Sequence, residues 1–142
     1  MRDKWLLFCL FLVLGALPVI GCNSRPNVSG VWKGSIESSD KRGHKWNGPA
    51  ELTLNQTGDA ITGTLAFTHP QGGRVQVPLS SGVVSKDSVV FSGQNQFPMG
   101  SIEIAFHGKI AGPRLSGTAD MTSRSLLLGP ETNVASLSLS RQ

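Results

Sequence analysis

Cysteine is nearly absent from this chain: Cys9 and Cys22 are the only two, and no thiol follows in the long remainder. A secreted domain without a cysteine pair has to be held by burial and backbone pairing rather than by disulfides. Long apolar runs are scarce as well. The single uninterrupted one, Trp5 to Leu17, spans roughly 13 residues, short of the ~20 that a membrane-spanning helix requires. Charge is sparse, with 13 Lys+Arg against 9 Asp+Glu. Removing Arg2, Lys4 and Asp3 with a leader leaves a balance of +3. With no dense Lys/Arg tract, nucleic acid is excluded as a partner. The mild positive balance suits anionic headgroups or cell-wall polymers, and equally a solvated body with no charged partner.

The chemistry of catalysis is missing too. His44, His69 and His107 have no close ligand spacing and no cysteine to join them, so no metal and no cofactor is expected. None of the serines sits in a Gly-x-Ser-x-Gly elbow. Glu103 and His107 share the polar face of one strand at a separation of about 13 Å, too far for a direct proton relay. A non-enzymatic protein is expected.

The beginning of the chain has the layout of a secretory signal: a charged start (Met1-Arg2-Asp3-Lys4), the apolar run, and Pro18 to end it. Residues 1–21 read as a signal peptide carrying a signal helix, 22–29 as Cys22 and a polar tether, and 30–142 as the folded domain. Fully extended, the tether reaches only about 25 Å. About 120 residues remain after processing, enough for one domain with a real core.

In that domain Gly, Ser and Thr are abundant, and no window has helical periodicity. Short stretches of period-two alternation lie between turn signals, the pattern of an antiparallel β protein. Trp32, Gly34 and Ile36 share one face of Gly30 to Glu37. Leu52 and Leu54 alternate with polar residues, Thr57-Gly58-Asp59 turns the chain, and Ile61, Gly63, Leu65 and Phe67 follow on one face. Arg74 to Val84 is interrupted by Pro78, which cannot donate to a ladder and should mark a bulge or an open seam. Val89 to Ser92, Ser101 to Ile110, Leu115 to Met121 and Val134 to Ser140 complete the set. About eight strands in roughly 110 residues suit an all-β, antiparallel, up-and-down barrel. Gly58-Asp59-Ala60-Ile61-Thr62-Gly63-Thr64 recurs as Gly112-Pro113-Arg114-Leu115-Ser116-Gly117-Thr118. The echo sets a turn glycine, an inward apolar residue and a bend glycine.

Val19-Ile20-Gly21-Cys22 resembles the lipobox of bacterial prolipoproteins. That resemblance implies a diacylglyceryl group on Cys22, cleavage before it, acylation of the new amine, and a lipid-anchored protein of the bacterial cell envelope. Asn23, rather than an Asp at that position, implies the outer membrane facing the periplasm in a Gram-negative source. Gly30-Val31-Trp32, the succession of strands and the late Arg141 resemble the calycin superfamily of lipocalins, avidins and fatty-acid-binding proteins. There the Trp plugs one barrel end and a basic residue packs on its ring, so the same is implied for Trp32 and Arg141. Leu137 stands where avidins carry an aromatic, and no biotin constellation is present.

Candidate ligand contacts are Trp32, either as a cavity wall or as a structural plug, and the loop Ser39 to Asn47, where Arg42 and Lys45 sit beside Trp46. A loop so charged is ordinarily solvated. Phe97, with Met99, reaches a connection, as do Leu126, Leu127 and Leu128. Apolar residues at a barrel rim form a lid or a partner patch, but these are expected to fold inward as core. Two functions follow: a barrel that binds a small apolar ligand, or a filled barrel whose loops bind an envelope protein or polymer. Interior size separates them. Trp32, Phe67, Phe91, Phe106 and the leucines could fill the barrel completely, whereas Gly34, Gly63 and Gly117 could leave space.

Overall fold

The computed structural model describes residues 25–69 and 72–142. The expected signal peptide and Cys22 therefore lie outside the described residues. Eight strands follow one another: β1 (Gly30–Ser39), β2 (Lys45–Thr57), β3 (Ala60–Thr68), β4 (Arg74–Ser85), β5 (Ser88–Phe97), β6 (Gly100–Ala111), β7 (Arg114–Ser125) and β8 (Gly129–Arg141). Each pairs antiparallel with the next, and β1 pairs with β8 from Trp32↔Arg141 to Ser39↔Val134, so the sheet closes on itself. Closure pairs every strand on both sides over at least part of its length, which leaves little free edge for another chain to extend.

Three two-residue turns gather at one end: Gly58-Asp59, Lys86-Asp87 and Gly112-Pro113. Their first residues have φ of 65°, 56° and 59°, a left-handed conformation that glycine adopts freely and Lys86 does not. Both halves of the sequence echo thus serve one purpose. Each turn also gives its second carbonyl to the neighbouring strand: Val84 N donates to Asp59 O (2.8 Å), Ile110 N to Asp87 O (2.7 Å) and Arg141 N to Pro113 O (2.8 Å). These bonds stitch one end of the barrel into a ring and satisfy carbonyls that turns otherwise leave to water.

The core fills that end. Trp32, Leu52, Leu54, Ile61, Leu65, Leu115, Leu137 and Leu139 are buried, and the Phe91 and Phe106 rings stack with centroids 4.6 Å apart. Gly34, Gly63 and Gly117 leave no room, which decides between the two possibilities at these positions. A methyl on Gly34 would lie 1.9 Å from Ser138 O, and one on Gly63 1.8 Å from Thr53 O. On Gly117 it would lie 2.4 Å from Gly108 Cα and 2.8 Å from Phe106 Cζ. Adjacent backbone and the Phe106 ring occupy the volume that the missing side chains free.

Pro78 marks both an irregularity and a seam. The β3–β4 register shifts between Ala60 and Thr64, where Thr64 faces Pro78, and the β4–β5 register shifts between Leu79 and Ser81. Strand pairing of β4 with β5 ends at Leu79↔Gly93; beyond it the Asn95 side chain donates to Gln76 O at 2.6 Å. The two strands diverge there, on the side of the barrel away from the tight turns.

Candidate ligand cavity at the barrel mouth

At the end opposite the tight turns an opening is surrounded by Asp40 to His44, by His69 and Gly72-Gly73, by Pro98-Met99, and by Leu126 to Leu128. Beneath it lies a cavity of about 340 Å³, within the range of small-molecule sites. Trp46 from β2, Phe67 from β3 and Val75 from β4 form one wall; Ile102 and Met121 face it from β6 and β7, and Phe97 and Met99 form the lip. Trp46 stacks on Phe67 with centroids 6.2 Å apart and lies 6.1 Å from the His69 ring. Polar groups enter singly, among them Ser38, Ser123, Arg124 and Asn133. Ser38 Oγ donates to Val134 O at 3.3 Å, and Arg124 Nη2 donates to Glu103 Oε2 at 3.4 Å. Asn133 Oδ1 is buried with no partner among the described residues.

Of the candidate ligand contacts, the structure brings Trp46 and Phe97 together in this cavity and sets the others apart. Trp32 is a plug at the far end and no part of the cavity wall. Its Nε1 donates to Val28 O at 2.9 Å, and the Arg141 guanidinium lies 4.8 Å from its ring centroid. Arg141 Nη2 also donates to Asn27 O, and Val28 N donates to Gln56 Oε1 at 2.8 Å. Val28 is fully buried, so the last residues of the expected tether are built into the closed end. Arg42 and Lys45 are exposed near the mouth and do not line the cavity. Arg42 sits in a turn held by Asp40, whose Oδ1 accepts from Arg42 N (2.8 Å) and His44 N (2.9 Å). The bond from His44 N, then that with the His44 ring at 3.0 Å, holds the Asp40 carboxyl below its ordinary value.

The rim residues do not fold inward as expected. Leu126, Leu127 and Leu128 are 75%, 80% and 90% exposed, and Met99 is 61% exposed. Three-residue and two-residue turns at strand ends project past the sheet.

Asn133, Met121, Val75 and Ile102 are cavity residues that were not singled out from the sequence. Stepping back by two from Ala135, Leu137 and Leu139 would have put Asn133 on the inward face of β8, but a strand begun at Val134 omits it. A larger hollow of about 710 Å³ lies against the closed end, lined by Arg25, Asp59, Lys86 and Asp87 among others. It is a charged external groove and not part of the barrel interior.

Among the described residues, no group of three or more His, Cys, Asp or Glu side chains is placed to hold a metal ion. No protein-family model and no curated protein matches this chain. A solved structure described as EF1p2_mFAP2b bound to DFHBI is similar, with a TM-score of 0.62 and 11% identity over 80% of this chain and 93% of that one. The likeness is one of fold, and the architecture is a closed, eight-stranded, antiparallel, up-and-down barrel.

Proposed function

We propose that this protein is a non-catalytic, lipid-anchored component of the bacterial cell envelope that binds a small, largely apolar ligand at the mouth of its barrel. The observation that carries the reading is the change in packing along the axis: a filled core at one end gives way to an aromatic-walled cavity of about 340 Å³ at the other. The similar barrel described as bound to DFHBI supports ligand binding in this architecture. Anchoring is supported by Val19-Ile20-Gly21-Cys22 alone. The chain enters at the closed end, where Arg25 and Pro26 border the tight turns, so an anchor on Cys22 leaves the mouth directed away from it.

Native mass spectrometry of protein purified from its own host tests the cavity. A co-purifying small molecule, or saturable uptake of N-phenyl-1-naphthylamine that Met121→Trp abolishes without loss of fold, is the expected result. Bare protein with no dye uptake would sink the reading. Cys22→Ser is expected to release the protein from the membrane fraction, and unchanged membrane retention would count against the anchor.

A second reading has its own observation. Leu126, Leu127 and Leu128 form an apolar tip with little cover, the kind of surface that engages a protein partner. If the tip binds an envelope protein and the cavity is incidental, replacing all three leucines by Ser abolishes a specific cross-link in cells while dye uptake is untouched.

A further inference from the structure

The cavity contains an acceptor with nothing to accept. Asn133 Oδ1 is buried and without a hydrogen-bond partner among the described residues. It sits where β8 faces Met121 of β7, among the residues that line the mouth. Two of the polar groups that line the mouth are engaged elsewhere: Ser38 Oγ with Val134 O, and Arg124 with Glu103. Buried polar atoms in folded proteins are almost always bonded, and an exception needs an explanation. A buried oxygen without a protein partner costs free energy that an arriving donor recovers.

We infer that the ligand is a compact aromatic molecule with one hydrogen-bond donor, a hydroxyl or an N–H, directed at Asn133 Oδ1. The inference rests on the reading that the cavity binds a small molecule, and it adds the class of that molecule. Size and wall chemistry agree. A cavity of about 150 Å³ holds benzene, so one of about 340 Å³ accommodates two fused rings. The Trp46–Phe67 stack offers a flat face to an offset ring. Below, Leu52, Phe106, Ala119 and Ala135 are buried, and this packed floor gives a long acyl chain nowhere to run.

The test is calorimetric titration of the intact protein in lipid nanodiscs with 2-naphthol and with 2-methoxynaphthalene, empty nanodiscs serving as the blank. The probes share their rings and differ in the donor. The ether is the more apolar of the two, so hydrophobic transfer alone favours it. The expected result is about ten-fold tighter binding of 2-naphthol, the worth of one recovered hydrogen bond. In Asn133→Leu the preference for 2-naphthol is expected to vanish or to reverse in favour of the ether, with thermal melting used to verify that the variant is folded. Equal binding of both probes to the wild type overturns the donor inference and leaves the cavity reading standing. Failure of both to bind overturns the cavity reading itself. A ten-fold preference that survives in folded Asn133→Leu assigns the donor's partner to another residue and also overturns the inference.

Discussion

The two ends of this barrel are built from the same ladder and finished in opposite ways. At the closed end each tight turn surrenders a carbonyl to the next hairpin, and Gln142 N donates to Val31 O at 3.0 Å. There Trp32 is roofed by Val28 and Arg141. At the mouth the loops are satisfied mainly within themselves, as in Asp40 N to His44 O (2.9 Å) and His69 N to Gly73 O (3.0 Å). Leu126 N to Met99 O, at 3.2 Å, joins two mouth loops. Stability concentrated at one end leaves the other free to open locally, which is where the proposed ligand would exchange. The contrast also explains how a small barrel without disulfides tolerates a cavity: its apolar mass is concentrated at the end where the turns interlock.

The largest expected effect tests that division directly. Trp32→Ala removes a fully buried ring, its bond to Val28 O and its contact with Arg141, and is expected to cost about 3–5 kcal/mol. Replacing Leu126, Leu127 and Leu128 by Ser, all exposed, is expected to stay within about 0.5 kcal/mol per site. Urea unfolding measures both. Comparable losses at the two ends would erase the distinction.

Glycine substitutions sharpen the comparison at intermediate size. Gly117→Ala forces a methyl towards Gly108 Cα and Phe106 Cζ, an overpacking expected to cost about 1–3 kcal/mol. Gly43, in the mouth turn at φ 83°, has nothing within 4 Å of an added Cβ. Its Ala variant is expected to lose only the left-handed penalty of about 1–2 kcal/mol. Asn discriminates the two causes, because it tolerates that conformation and is larger. Gly43→Asn should recover most of the loss, whereas Gly117→Asn should be worse than Gly117→Ala. The opposite order would mean that space rather than backbone governs the mouth.

The barrel was legible in the sequence because burial of one face imposes a period of two, and that period was visible wherever the inward residues were large. Ile61-Gly63-Leu65-Phe67 and Ile102-Ile104-Phe106 gave strands at the right places, and Pro78 announced the seam by its missing N–H. The mouth was harder to read for the same reason. Beyond the core, β2 reaches back to Lys45, β5 on to Phe97 and β8 back to Gly129, through segments such as Asn47-Gly48-Pro49 and Pro130-Glu131-Thr132 that carry no hydrophobic alternation. Trp46 and Phe97 were found because aromatics stand out; Asn133 was missed because a lone polar residue on an inward face looks like any turn residue. The glycines left the interior open to two readings because a missing side chain can read as space in a sequence, whereas in a closed sheet it permits two backbones to approach.

A smaller effect is expected at Lys86, which takes the left-handed turn position that Gly58 and Gly112 occupy elsewhere. Lys86→Gly relieves the steric penalty and gives back part of the gain through unfolded-state entropy. A net stabilisation of up to about 1 kcal/mol in urea unfolding is expected. A destabilised variant would show that the closed end draws support from the lysine side chain and not only from its interlocked turns.

The smallest expected effect is confined to the mouth and is driven by pH. Asp40 accepts from two backbone amides and meets the His44 ring, and its carboxyl is held below the ordinary 3.8. A lowered value in the folded state means that the carboxylate contributes stability above the unfolded value, and that this contribution is lost as pH falls through the folded one. In acid titrations followed by NMR, the Arg42 and His44 amide protons are therefore expected to move together, with a shared midpoint below 3.8. The Trp32 indole N–H, bonded to Val28 O at the closed end, should hold its position through the same midpoint. Asp40→Asn is expected to remove that shared titration. A midpoint at or above 3.8, or a Trp32 indole proton that moves in step, would mean that acid acts on the barrel as a whole and that the mouth turn is not an independently opening unit.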